Sequence, residues 1–188
     1  EDVLARLEAA RNGDREINWF VQPIPSLIDF LTTDHRKTLG DQLPALRERI
    51  DKAASSAGEV SELRRIRILF GHLAEAITTH VLNEERELFP FISHLDSAKN
   101  QLVGAPKMRI SQRVLHELVE HEGFQNSLRT LNALAERLPA GEAVSALCND
   151  LRMFSEGIRC HMHLENNVLY PRAIEIENGL RRTAAASV

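Results

Sequence analysis

Apolar residues recur along this chain in alternating steps of three and four. One stripe reads Leu63, Ile66, Phe70, Leu73, Ile77 and continues through His80 and Glu84 to Leu88. A second reads Leu147, Leu151, Phe154, Ile158 and continues through His161 and Glu165 to Leu169. Two further stripes share the period: Ile28, Leu31, His35, Leu39, with Leu46 and Ile50 beyond, and Val114, Leu118, His121, Phe124, Leu128, Leu131. Such steps place residues on one face of a 3.6-residue helix, and helices with such faces bury them against one another. The pattern predicts main helices over about 26–54, 59–89, 110–138 and 142–170, with a short amphipathic piece over 2–12.

The punctuation fits those limits. Asn12-Gly13 ends the short piece, and Trp19 to Pro25 reads as a lead-in that cannot continue a helix because of Pro23 and Pro25. Ser26, followed by Asp29, is the expected cap of the first main helix. Pro44 predicts a kink or break near residue 43, and Pro90 and Pro171 are expected to stop or bend the second and fourth helices. Residues 96–109 read as a loop around Asp96-Ser97, Asn100, Gly104 and Pro106, and Pro139 and Gly141 end the third helix. A helical continuation to Arg182 and a frayed tail from Thr183 complete the expectation. The fold class is all-α, an up-down four-helix bundle with a short N-terminal helical extension, in a single domain over 1–188.

Composition narrows the function classes. With 43% hydrophobic and 27% charged residues this is an ordinary globular chain. A formal charge of −4 gives no footprint for nucleic acid, and Arg64, Arg65 and Arg67 are flanked by Glu59 and Glu62 as on a solvated helix face. No apolar run is long enough to cross a bilayer and no signal-peptide pattern opens the chain, so no membrane partner is expected. Two cysteines, Cys148 and Cys160, lie outside any C-x-x-C arrangement, as expected of a reducing cytoplasm.

The chemistry lies where polar residues interrupt the stripes. H-x-x-x-E-x-x-x-L-[FY]-P occurs twice, as His80, Glu84, Leu88, Phe89, Pro90 and as His161, Glu165, Leu169, Tyr170, Pro171. Residues four apart share a helix face, so each copy presents an imidazole and a carboxylate to one place. His35 and His121 add one inward imidazole from each of the other helices. A single inward His is more often a packed core residue than a ligand. Six ionisable side chains converging in one core need compensation, by pairing among themselves or by metal ions. Neutral His and ionised Glu are ordinary ligands of divalent and trivalent metals, and the set lacks thiolates, which favours iron with manganese or zinc as alternatives. The candidate metal ligands are therefore His35, His80, Glu84, His121, His161 and Glu165.

Other polar residues get plainer readings. His72 lies eight residues before His80, about 12 Å along the axis, too far to share its metal. His94, His116 and His163 fall off the stripes, with His163 at most supporting a ligand. Glu117, four residues before His121, is expected to be half-exposed in a surface ion pair rather than a ligand. Cys160 points about 100° away from His161 and is expected to be a packed thiol.

The strings HVLNEERELFP (80–90) and HMHLENNVLYPR (161–172), with DHRKTLGDQLPAL (34–46) and Glu120-His121-Glu122, resemble the hemerythrin-type cation-binding family. Within that family the chain is most similar to the di-iron domain of bacterial proteins that repair iron centres after nitrosative and oxidative damage. The resemblance covers about 20–175 and implies a hemerythrin-type bundle holding two iron ions. In it His35, His80, His121 and His161 would be terminal ligands, and Glu84 and Glu165 bridging carboxylates beside an oxo or hydroxo bridge. The family's additional His falls near Ala53 to Gly58, where this chain has Ser55 and Ser56. Water, an open position or Glu117 would take its place. The implied function is a cytoplasmic non-haem di-iron protein of nitrosative or oxidative stress, acting in iron-centre or iron-sulfur cluster repair or in handling nitric oxide or peroxide. Its partners would be those small molecules, oxygen, and damaged iron-sulfur proteins. The alternatives are reversible oxygen binding or gas sensing without turnover, and iron storage or buffering.

Overall fold

The computed structural model describes residues 17–57, 60–99 and 109–186. The expected helix at 2–12 and most of the 96–109 loop lie outside the described residues. What is described is all-α, a four-helix bundle with no strand among the described residues.

The first helical run comprises α1 (Ile24–Lys37), a π-helical turn (Thr38–Gln42) and α2 (Leu43–Ala57). The second comprises α3 (Ser61–Asn83), a π turn (Glu84–Leu88) and α4 (Phe89–Ala98). The third is α5 alone (Ile110–Ala135). The fourth comprises α6 (Glu142–Leu164), a π turn (Glu165–Leu169) and α7 (Tyr170–Ala186).

Several boundaries differ from the sequence expectation, each for a physical reason. α1 starts at Ile24 rather than at a Ser26 cap. The Pro23 carbonyl accepts the first helical bond from Leu27 N–H (3.2 Å), and Pro25 sits in the first turn, where no N–H is needed. Pro90 and Pro171 do not stop their helices, which run on to Ala98 and Ala186. In each run a turn of i→i+5 bonding precedes the proline. Leu43 N–H bonds Thr38 O, Phe89 N–H bonds Glu84 O, and Tyr170 N–H bonds Glu165 O. The helix is widened just before the ring that would otherwise clash with it.

By tertiary contacts the chain divides into two compact groups. The first, the described parts of 1–32, 83–119 and 160–188, has a core of Leu27, Leu31, Leu88, Ile92, Leu169 and Tyr170 with Trp19 at its rim. Trp19 packs tilted against Phe30 (4.6 Å between centroids), and Arg172 donates to the carbonyls of Trp19 (3.2 Å) and Gln22 (2.7 Å). The arginine of the L-Y-P-R string thus anchors the segment before α1. The second group, 33–82 and 120–159, packs Leu46, Ile50, Leu63, Ile66, Leu128 and Leu147. Phe70 meets Phe154 edge-on (6.2 Å), and Asn132 donates to Ser155 (2.8 Å). Each fully buried Leu or Ile contributes roughly 1.5–3 kcal/mol.

Candidate metal centre

The six side chains singled out from the sequence lie on the buried faces of their helices. His35 is 2% exposed, His80 5%, His121 1%, and Glu84 and Glu165 0%. His161, slightly more open, bonds through Nε2 to Oε1 of Glu165 one turn along the same helix, at 3.0 Å. Two groups of donor atoms emerge, each with its members within 4.8 Å of one another: His35, Glu84, His161 and Glu165, and His80, Glu84, His121 and Glu165. The groups share both carboxylates.

The donor geometry fits metal. Nε2 of His80 lies 3.0 Å from Nε2 of His121. With metal–nitrogen bonds of ~2.1 Å, adjacent corners of an octahedron are ~3.0 Å apart and those of a tetrahedron ~3.4 Å. His80 Nδ1 bonds a carboxylate oxygen of Glu120 at 2.9 Å. That partner fixes the tautomer, keeping the proton on Nδ1 and leaving the Nε2 lone pair aimed inward. Phe124 covers both rings, meeting His80 edge-on at 5.1 Å and tilted against His121 at 6.2 Å. Buried, acceptor-rich carboxylates beside neutral imidazoles are costly unless cations offset them, so this set suits metal better than an apo core.

Tyr170, which the sequence shows only as a member of the repeated motif, adds a further polar group. Its hydroxyl donates to Glu84 Oε1 at 2.7 Å, and the ring is 1% exposed. Burial pushes its pKa well above the usual phenol value, and the charges of Glu165, Glu84 and Glu117 push the same way. The phenol therefore stays protonated and orients one carboxylate. The L-[FY]-P string held the signal: a Tyr immediately after a turn that carries a buried Glu has a hydroxyl to satisfy.

Glu117 corrects the sequence reading. It is 3% exposed, while Leu118, expected inward, is 39% exposed. The buried stripe of α5 is Val114, Glu117, His121, Phe124, Leu128, in strict steps of three and four, and a step of four from 114 to 118 misses it by one residue. The first helix shows a similar displacement, with Leu27 and Thr38 buried and Ile28 and Leu39 only partly so. His72, His94 and His116 are exposed, and His163 bonds Asn167 at 3.1 Å on its own helix. Ser55 is exposed and donates to the Asp51 carbonyl at 2.9 Å. Cys160 is buried and Cys148 Sγ bonds the Ala135 carbonyl (3.3 Å). Arg64, Arg65 and Arg67 lie on an exposed face, with Arg67 paired to Asp51 at 3.1 Å. Among the described residues, no helix is long and apolar enough to cross a membrane.

Comparison with known proteins gives the family of the chain. The iron-sulfur cluster repair protein YtfE of Yersinia pseudotuberculosis serotype IB (strain PB1/+) is 26% identical over 165 residues, covering 85% of this chain and 70% of that protein. The protein of the same name from Yersinia pestis (strain Pestoides F) is similar to the same extent. That of Yersinia pseudotuberculosis serotype O:1b (strain IP 31758) is 27% identical over 172 residues, with the same coverage. Residues 26–173 match the family model described as Hemerythrin HHE cation binding domain, and a chain matched over that span belongs to the hemerythrin HHE family.

Proposed function

We propose that this chain is a non-haem di-iron protein that acts in the repair of iron-sulfur centres under nitrosative or oxidative stress. The observation that carries the reading is the pair of His₂Glu₂ groups sharing Glu84 and Glu165. Shared carboxylates flanked by two imidazoles on either side suit two neighbouring metals better than one. In this reading His35 and His161 would hold one iron and His80 and His121 the other, with Glu84 and Glu165 available to both. The names of the YtfE relatives support the repair role.

Bound there, an iron pair would supply one-electron redox chemistry and open positions for nitric oxide, oxygen or peroxide. The chain's own residues do the rest. Tyr170 holds Glu84 in place through a 2.7 Å bond, and Glu120 holds the imidazole of His80 in the tautomer a metal needs. Phe124 covers the His80 and His121 rings, and Leu88 and Leu169, each 0% exposed, follow the carboxylates by one turn. Water is thereby kept from the centre, which strengthens every charge interaction inside it. The proposed partners are damaged iron-sulfur proteins, and the proposed compartment is the cytoplasm, where two thiols outside any disulfide, Cys148 and Cys160, remain reduced.

Metal analysis by mass spectrometry on protein purified without added metal, together with an optical spectrum, tests the centre. A pair of irons per chain with near-ultraviolet charge-transfer absorption is expected. The reduced protein should then consume nitric oxide or peroxide and restore activity to a damaged iron-sulfur enzyme. A stable, reversible oxygen adduct without turnover would overturn the repair reading in favour of a carrier. Loosely held iron without gas chemistry would point to storage.

A further inference from the structure

A cavity of about 640 Å³ opens between the end of α2 and the start of α3. Its apolar lining comes from Ala54 on α2, from Val60, whose carbonyl accepts a bond from Arg64 N–H (3.3 Å), and from Leu63, which is buried. Ala54 and Val60 are half-buried, and the small side chain of Ala54 leaves the hollow unfilled. The charged part of the lining is Arg64, Arg65 and Arg67, all exposed, with methylene stems suited to lie along apolar surface. All of these residues belong to the second compact group. Arg64 stands roughly 24 Å before His80 along α3, at 1.5 Å per residue, so the cavity is separate from the candidate metal ligand of that helix.

The charge of the cavity has one sign. Three guanidiniums line it and, among the described residues, no carboxylate does. Arg67 is paired with Asp51 at 3.1 Å, and the charge of Arg65 acts on Glu62. Arg64 makes no ion pair among the described residues. Exposed guanidiniums hold a small free anion only weakly, because water and salt compete for both charges. An apolar hollow beside them changes the balance, since a ligand body placed in it leaves water. The volume lies within the range of roughly 300–1,000 Å³ usual for small-molecule sites. One uncommitted guanidinium balances one negative charge, and its planar edge matches a carboxylate through two parallel hydrogen bonds.

We propose that this cavity binds a small carboxylate amphiphile, with its head on Arg64 and its apolar body against Ala54, Val60 and Leu63. The site is independent of any metal and stands whether or not the di-iron reading does.

Isothermal titration calorimetry of the full chain with octanoate tests it. Octanol supplies the chain without the charge, and acetate the charge without the chain. Octanoate should bind saturably at about one per chain, and the other two at least about tenfold more weakly. Arg64→Glu reverses the charge at an exposed position, so its melting temperature should stay close to that of wild type. Its affinity for octanoate should fall at least about tenfold. Ala54→Trp fills the hollow without changing charge and should weaken octanoate to a similar extent. Added salt should weaken binding to wild type. The proposal is overturned by octanoate binding that does not saturate, or that is unchanged in folded Arg64→Glu or folded Ala54→Trp. Acetate binding as tightly as octanoate would replace it with a plain anion site, and octanol binding as tightly would replace it with an apolar hollow blind to charge. Should Ala54→Trp fail to fold, Arg64→Glu and the two control ligands decide the outcome.

Discussion

Tyr170→Phe isolates a single hydrogen bond in the core. The substitution keeps the ring, so it opens almost no cavity and leaves the packing of Leu169 and Ala173 around it unchanged. What it removes is the 2.7 Å bond from the phenol to Glu84 Oε1, at a site where both side chains are at most 1% exposed. Water does not replace the donor there. A hydrogen bond to a charged group contributes roughly 1.5–3 kcal/mol, and a buried acceptor deprived of it bears most of its desolvation cost. Taking ~2 kcal/mol, and a sensitivity of about 2–4 °C per kcal/mol for a chain of this size, the metal-free protein should melt about 4–8 °C lower. In the iron-loaded protein the same change frees Glu84 to swing, and iron affinity should fall roughly 10- to 100-fold. Thermal unfolding followed by circular dichroism, in chelator and then with iron restored, measures both effects. A metal-free melting temperature within about 1 °C of wild type would refute the assignment of Tyr170 as the group that holds Glu84.

Other expectations follow from the same core. Tyr170 is the single tyrosine of the chain, so phenolate absorbance reports it alone. Its folded pKa is raised, so above pH ~10 the unfolded chain releases a proton that the native chain keeps. Metal-free stability should then fall by up to about 1.4 kcal/mol per pH unit in wild type but not through this group in Tyr170→Phe. Phenolate absorbance in the folded protein near pH 10 would contradict that. Glu84→Ala and Glu165→Ala should each lose iron and the near-ultraviolet band together, whereas His72→Ala, on the exposed face of α3, should keep both; iron loss in His72→Ala would undo the placement of the stripe. His80→Leu with His121→Leu replaces two facing imidazoles by apolar groups. It should make the metal-free protein more stable by about 1–4 kcal/mol while abolishing one iron, and a lower metal-free melting temperature would count against a core built around metal.

The bundle and the six ionisable core positions could be read from spacing, because burial follows period and the duplicated motif breaks the period with the same two residue types. Glu117 could not be read as easily. Leu118 is the more apolar choice one position away, and hydrophobicity pulled the stripe toward it although strict alternation from Val114 to His121 runs through 117. Glu120 was beyond reach for a different reason: its role depends on a contact with His80, forty residues earlier, that no local pattern encodes. Pro44 falls where the sequence places a break, just after the Thr38–Gln42 turn, whereas Pro90 and Pro171 do not stop their helices although a ring without an N–H ends an ordinary α-helix. Here the preceding turn had already given up the α bonding pattern.

That wide turn is itself encoded in the motif. His, Glu and Leu follow one another in steps of four, at 80, 84 and 88 and again at 161, 165 and 169, and burial continues in the same step to Ile92 and Ala173. On a regular α-helix each step of four overshoots a turn by ~40°, so three in succession would carry the face ~120° away from the core. A turn with i→i+5 bonds takes up about one extra residue and cancels most of that drift. The π turns at Glu84–Leu88 and Glu165–Leu169 begin at the carboxylate and end two residues before the proline. They keep imidazole, carboxylate and aromatic on one buried face, which is how Tyr170 on the fourth run comes to reach Glu84 on the second. The third instance, Thr38–Gln42 ahead of Pro44, has the same bonding but carries no ligand, so the wide turn does not require a bound metal. The proline then adds a penalty against the competing α register, since its ring would clash with the carbonyl four residues back. H-x-x-x-E-x-x-x-L-[FY]-P thus specifies a backbone that holds a carboxylate still, and the candidate ligands are only its most visible part.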